Sequence, residues 1–204
     1  MLSTKIATPS GSGSGPSGGG SATGGNPSGG SKGKGVCDQT SGASAMLTPS
    51  LGTVAIPTTV MMNSTGNDVG EFQLDNPSPC PMSLTMMRFV SHPSVVPSPL
   101  YGMLQNIKLI DINTGMQFGS TLDFARPIDM TGTMTFVSTA PVVVAPYTTE
   151  NFSLMADTRN VPPPATFQIQ WMAFNATNTT LGLVANWVYT TGAPIMAPLI
   201  TIVL

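Results

Sequence analysis

Between Phe167 and Ala173 the chain reads Phe-Gln-Ile-Gln-Trp-Met-Ala, with apolar residues at every second position. A helix of 3.6 residues per turn scatters such a set around its axis, whereas a pleated strand puts it on one face. The same short period recurs after Ala45, in brief apolar runs separated by Pro, Gly and Asn, and no stretch of ten residues carries a helical repeat. An all-β fold is therefore expected, with strands near 52–62, 69–75, 82–90, 105–112, 115–124, 131–137, 141–145, 150–157, 165–174, 181–190 and 195–204. Strands this short and this evenly spaced suit an antiparallel β-sandwich, Ig-like or jelly-roll, better than an α/β fold.

Two hairpins stand out. Phe167, Ile169, Trp171 and Ala173 face one way while Gln168 and Gln170 face the other, and the partner strand carries Leu181, Leu183, Ala185, Trp187 and Tyr189 on its inner face. The turn between them is expected at Asn175–Thr180, which puts both tryptophans over a common core. A second hairpin joins 107–112 to 116–124 through Asn113-Thr114-Gly115, residues that tolerate a left-handed backbone. The final run departs from alternation: Leu199, Ile200, Ile202, Val203 and Leu204 are apolar on both faces and need cover on both sides. It reads either as a central strand or as a strand exchanged with a neighbouring subunit. Thr53–Val60 is open to the same two readings, and Pro57 confines it to a sheet edge or a bulge.

The first 45 residues are a different text. From Pro9 to Gly35 the chain is almost wholly Gly, Ser, Pro, Thr and Asn, too poor in apolar surface to offset the entropy of ordering it. The expected organisation is an arm over 1–45, flexible or ordered only by assembly, followed by a sandwich domain over 46–204. Only 8% of the chain is charged and the formal net charge is −2, against roughly 25% charged residues in ordinary soluble domains. The scattered basic residues offer no footprint for nucleic acid or an anionic membrane. A neutral surface lacks the repulsion that keeps like molecules apart, so copies of the same chain are the expected partners. No apolar run resembles a signal-peptide core or reaches the length of a membrane span. The expectation is a soluble chain whose leader precedes this numbering, or one exported or assembled without a leader.

Chemistry is sparse. The single histidine, His92, lies in a Ser-His-Pro turn, and acid–base or nucleophilic catalysis from one histidine and thinly spread carboxylates is not expected. Asp68, Glu71, Asp75, Asp111, Asp123, Asp129, Glu150 and Asp157 show no calcium-loop spacing, and no cofactor or metal is expected. The glycine-rich arm has no preceding strand and no GK[ST], so it is not a phosphate cradle. Cys37 and Cys80 lie outside any CxxC or Cys/His pattern; they form either a disulfide stapling the base of the arm to the sandwich or two buried thiols. Acceptor triplets for N-glycosylation begin at Asn63, Asn151, Asn175 and Asn178, and Asn63, Asn175 and Asn178 are expected in exposed turns. Tyr101 and Tyr147 are the turn aromatics that could stack on a sugar. The fourteen methionines read as core filling or as adaptable contacts between subunits, with the outward members of Met61-Met62 and Met86-Met87 joined by Met82, Met172 and Met196.

Gly70–Leu74, Met82–Met86, Gln105–Asp111 with Thr114-Gly115 and Gly119–Thr121, Gly132–Phe136, Ala145–Tyr147 and Asn151–Asp157 together are similar to immunoglobulin-like sandwich modules of secreted bacterial surface and appendage proteins. The resemblance covers about residues 67–174 and lies in strand pattern and turn residues. It implies a stalk, filament or surface role at the cell exterior and brings no active site with it. The short chain and its Gly-rich arm favour a self-assembling subunit over a simple stalk.

The expected role is thus a structural subunit of an extracellular filament, pilus-like appendage or surface layer, not an enzyme. The alternatives are a capsid or fibre subunit of a virion, whose jelly-roll cores also carry N-terminal arms, and an adhesive or carbohydrate-binding module.

Overall fold

The computed structural model describes residues 37, 47–93, 103–123, 132–160, 165–178, 181–188 and 193–204. The rest of the arm, Tyr101, Asp129 and Tyr189 lie outside the described residues. Twelve strands follow one another: β1 (Thr48–Leu51), β2 (Thr59–Met61), β3 (Asn67–Asp75), β4 (Met82–Pro93), β5 (Leu104–Asp111), β6 (Gln117–Leu122), β7 (Thr133–Val144), β8 (Thr149–Thr158), β9 (Ala165–Asn178), β10 (Leu183–Val188), β11 (Ile195–Met196) and β12 (Ile200–Val203). There is no helix among the described residues. One sheet has the order β1-β3-β8-β5-β6; the other has β2-β12-β9-β4-β7, with β10 and β11 also pairing with β9.

The pairing follows one rule. β5 pairs with β6, β4 with β7 and β3 with β8, all antiparallel, so each strand meets the one symmetric to it about the β5–β6 turn. A long two-stranded ribbon rolled into two facing sheets gives this order. Of the two sandwich types the sequence leaves open, this is a jelly roll. The rule would next pair β2 with β9. Instead β12 sits between them, parallel to β2 through Thr201↔Thr59 and antiparallel to β9 through Ile200↔Phe167.

The expected strand over 52–62 is broken: β1 ends at Leu51, β2 begins at Thr59, and Pro57, which has no amide hydrogen to donate, lies between them. The expected strand over 195–204 is likewise split by Pro198 into β11 and β12. The regions 131–137 and 141–145 are a single strand, β7, whose register slips from Leu84↔Val142 to Met86↔Val137. Residues 138–141 therefore stand out as a bulge.

Aromatic residues bind the two sheets. Phe72 of β3 lies 4.9 Å from Phe89 of β4 and 5.7 Å from Trp171 of β9, centroid to centroid, and all three are fully buried. Such pairs add about 0.5–1.5 kcal/mol each beyond the burial of their area. The inward face of β9 holds at Phe167, Ile169 and Trp171, and then shifts. Arg88 pairs with Ala173 but Phe89 with Trp171, leaving Met172 as an extra residue; beyond it Phe174, Ala176 and Asn178 point inward. The Trp171 indole donates to the carbonyl of Ala173 at 2.9 Å inside this irregularity, so its buried N–H is satisfied. Trp187 of β10 meets Trp171 edge-on at 6.1 Å and stacks on Phe174, the common aromatic core expected of that hairpin.

Candidate interaction surface

His92 is exposed on β4, its Nε2 2.8 Å from Oε1 of Gln170, and no group of three or more His, Cys, Asp or Glu side chains among the described residues could hold a metal ion. Asp111 is buried because it organises the β5–β6 turn: its carboxylate accepts from the backbone N–H of Asn113 at 2.9 Å and the Thr114 hydroxyl at 2.8 Å. Gly115, at φ 71°, completes that turn in the left-handed region. Arg159 pairs with Asp123 at 3.1 Å across an exposed rim. Asp68 and Glu71 sit together on β3; burial pushes both carboxyls above their ordinary range, and the charge of Asp68 adds to the rise at Glu71. Burial also raises Glu150.

The structure brings Cys37 and Cys80 together as a disulfide. Cys80 is fully buried, and around it lies a polar knot. The Asn76 side-chain amide nitrogen lies within donating distance of the carbonyls of Cys80 (2.8 Å), Val144 (3.1 Å) and Ala145 (3.0 Å), while its oxygen accepts from Ser78. The base of the arm is thus fixed beside the end of β7. Nothing in the sequence distinguished Asn76 from the other Asn-Pro and Asn-Thr turns; a buried asparagine shows itself only through the carbonyls that surround it.

The glycosylation triplets are dispersed. Asn63 is exposed after β2 at φ 55°, as expected of a turn. Asn151 lies on β8 opposite Gln73. The turn expected at Asn175–Thr180 is shorter, because β9 runs on to Asn178. Asn175 therefore sits mid-sheet between Met86 and Asn186, and Asn178 is buried with its amide donating to the Pro81 carbonyl at 2.8 Å. Continued ladder bonds to β4 and β10 outweigh the turn tendency of these polar residues. Of the C-terminal residues, Ile200 and Ile202 are buried, whereas Leu199 and Leu204 are exposed. β12 is inserted in the sheet of its own chain.

Met82 is fully buried and Met172 and Met196 are half-buried, which corrects the expectation that Met82 faces outward: it follows the inward phase of Leu84 on β4. Among the described residues the outward methionines are Met61 and Met116, 53% and 65% exposed. With Tyr147, Val137, Val143, Ile112, Val184 and Val188 they leave large apolar groups on a surface with few charges. Met116, Val137 and Val143 cluster where β6, at the edge of one sheet, faces β7, at the edge of the other. They line a groove of about 400 Å³ together with Gln117, Gly119 and Pro141. The sequence hinted at this groove only through the gap left between 137 and 141. No protein-family model, no curated protein and no solved structure matches the chain.

Proposed function

We propose that the chain is a self-associating coat subunit, in which the jelly roll is the rigid body and the N-terminal arm a tether at its rim. The observation that carries this reading is the rolled strand order, in which β3–β8, β4–β7 and β5–β6 pair about one central turn, an architecture used for viral shells. Jelly rolls also serve lectins and enzymes. The low share of charged residues and the outward apolar groups at the β6–β7 edges favour assembly over those uses. Copies of the chain are the partners, and the location is a virion or the cell exterior. The Cys37–Cys80 bond is in keeping with an oxidising compartment.

A filament or surface-layer subunit is the second reading, supported by the same tendency to associate and by the resemblance of residues 67–174 to surface modules. Sedimentation followed by electron microscopy of the concentrated protein tests both. Closed shells support the coat reading, and helical filaments or flat arrays replace it with the second. A protein that stays monomeric at high concentration in native salt overturns both.

A further inference from the structure

The turn from β2 to β3 holds the acceptor triplet Asn63-Ser64-Thr65. Ser64 is tied to the sandwich: its backbone N–H donates to the Thr158 hydroxyl at 3.0 Å, its own hydroxyl lies 3.0 Å from Oδ1 of Asn67, and the Thr158 hydroxyl donates to the Met61 carbonyl at 2.6 Å. These bonds fasten the turn to the end of β8. Asn63 is exposed at φ 55°, a left-handed backbone that asparagine takes more readily than other non-glycine residues. Thr65 is exposed too, and among the described residues neither the Asn63 amide nor the Thr65 hydroxyl has a hydrogen-bond partner. The geometry of the turn accounts for Ser64 and Asn63 and gives the Thr65 hydroxyl no task.

We propose that Asn63 is an N-glycosylation site and that, of the four triplets, it alone carries sugar. In the transfer its Nδ2 displaces diphosphate from C1 of a polyprenyl-diphosphate oligosaccharide: the N–C bond forms as the C–O bond breaks, and the amide proton leaves with the diphosphate. Such an acceptor needs its amide and the hydroxyl two residues on in a surface loop. The other triplets lack this. Ser153, two residues beyond Asn151, is buried in β8. Asn175 and Thr177 lie inside β9, between β4 and β10. Asn178 is buried with its amide bound to the Pro81 carbonyl. The Cys37–Cys80 bond is independent support, since disulfides persist in the oxidising compartments of exported proteins. A bulky, solubilising glycan at Asn63 requires the β2–β3 turn to face solvent in any assembly. The inference shares only the exterior location with the reading above and does not depend on self-association.

The test sends the full chain through the export route of a eukaryotic cell behind a cleavable leader. Peptide mass spectrometry then follows an amidase that strips N-glycans and leaves an acidic residue at each occupied position. The expected result is sugar at Asn63 alone, its complete loss in Thr65→Ala and its retention in Thr65→Ser. Thr65→Ala keeps the asparagine that the left-handed backbone favours, and an intact Cys37–Cys80 bond in each protein checks that it has folded. An unmodified Asn63 overturns the proposal, as does sugar at Asn151, Asn175 or Asn178, or sugar at Asn63 that survives Thr65→Ala. Sedimentation of the same material reads self-association separately, so either conclusion can fail without the other.

Discussion

The side-chain amide of Asn76 lies 3.1 Å from the carbonyl oxygen of Val144, joining the end of β3 in one sheet to the last residue of β7 in the other. The same nitrogen reaches the carbonyls of Cys80 and Ala145, so one fully buried side chain closes this end of the sandwich. Changing Asn76→Ala takes a donor from the Val144 carbonyl and the acceptor from the buried Ser78 N–H, while the Cys80 and Ala145 carbonyls keep hydroxyl donors within reach in Ser78 and Thr148; each buried group left unpaired costs about 1–3 kcal/mol. We expect the variant to lose roughly 2–4 kcal/mol in urea unfolding, and a loss below 1 kcal/mol would show that water replaces the amide.

The disulfide closes a loop over a sequence separation of 43 residues. On a chain-entropy argument a loop of that length stabilises the folded state by about 4 kcal/mol, by restricting the unfolded chain. Cys37→Ser should lower the unfolding free energy by roughly this amount and raise the dependence on urea, because the unfolded chain becomes more expanded. Wild-type protein in reductant should behave like the variant. A midpoint unmoved by either change would show that the arm is not restrained through this bond.

Asp68 gives a pH dependence of definite sign. Its carboxyl is raised above the ordinary value of 3.8, first by burial, against the opposing hydrogen bonds from Gly70 and Ser153. In the window between the unfolded and the folded pKa the native state holds more protons than the unfolded chain, so stability falls as pH rises through that window. Glu71 and Glu150 shift in the same direction and add to the slope. Asp68→Asn should be more stable than wild type near neutrality, and its stability should vary less with pH in the acid range. Parallel stability profiles for the two proteins would refute this account.

The strands were legible because a half-buried strand writes its two faces into alternate residues, as Phe167, Ile169 and Trp171 do. The Asn113-Thr114-Gly115 turn was legible because its backbone needs those residue types. Two features were not. The extra residue at Met172 shifts the inward face of β9 to Phe174 and Ala176, and a two-against-one count between neighbouring strands leaves no mark on either strand alone. The place of β12 between β2 and β9 is equally silent: an apolar run asks for cover on both faces without saying which strands flank it. The groove combines both difficulties, being formed by a bulge at 138–141 and by the edges of two different sheets.

Two glycines with nearly the same backbone separate strain from contact at that groove. Gly115 has φ 71° and Gly119 φ 74°, and a non-glycine residue in this region costs about 1–2 kcal/mol. A Cβ at Gly115 meets nothing within 4 Å, whereas one at Gly119 lies 3.0 Å from the Val137 carbonyl oxygen, a backbone atom that cannot swing aside. Gly115→Ala should therefore cost about 1–2 kcal/mol, and Gly119→Ala should cost that and roughly 1 kcal/mol or more for the clash. Equal losses in the two variants would mean that β6 and β7 stand apart in solution. A larger loss at Gly119 would establish the backbone contact between β6 and β7 from which the groove opens.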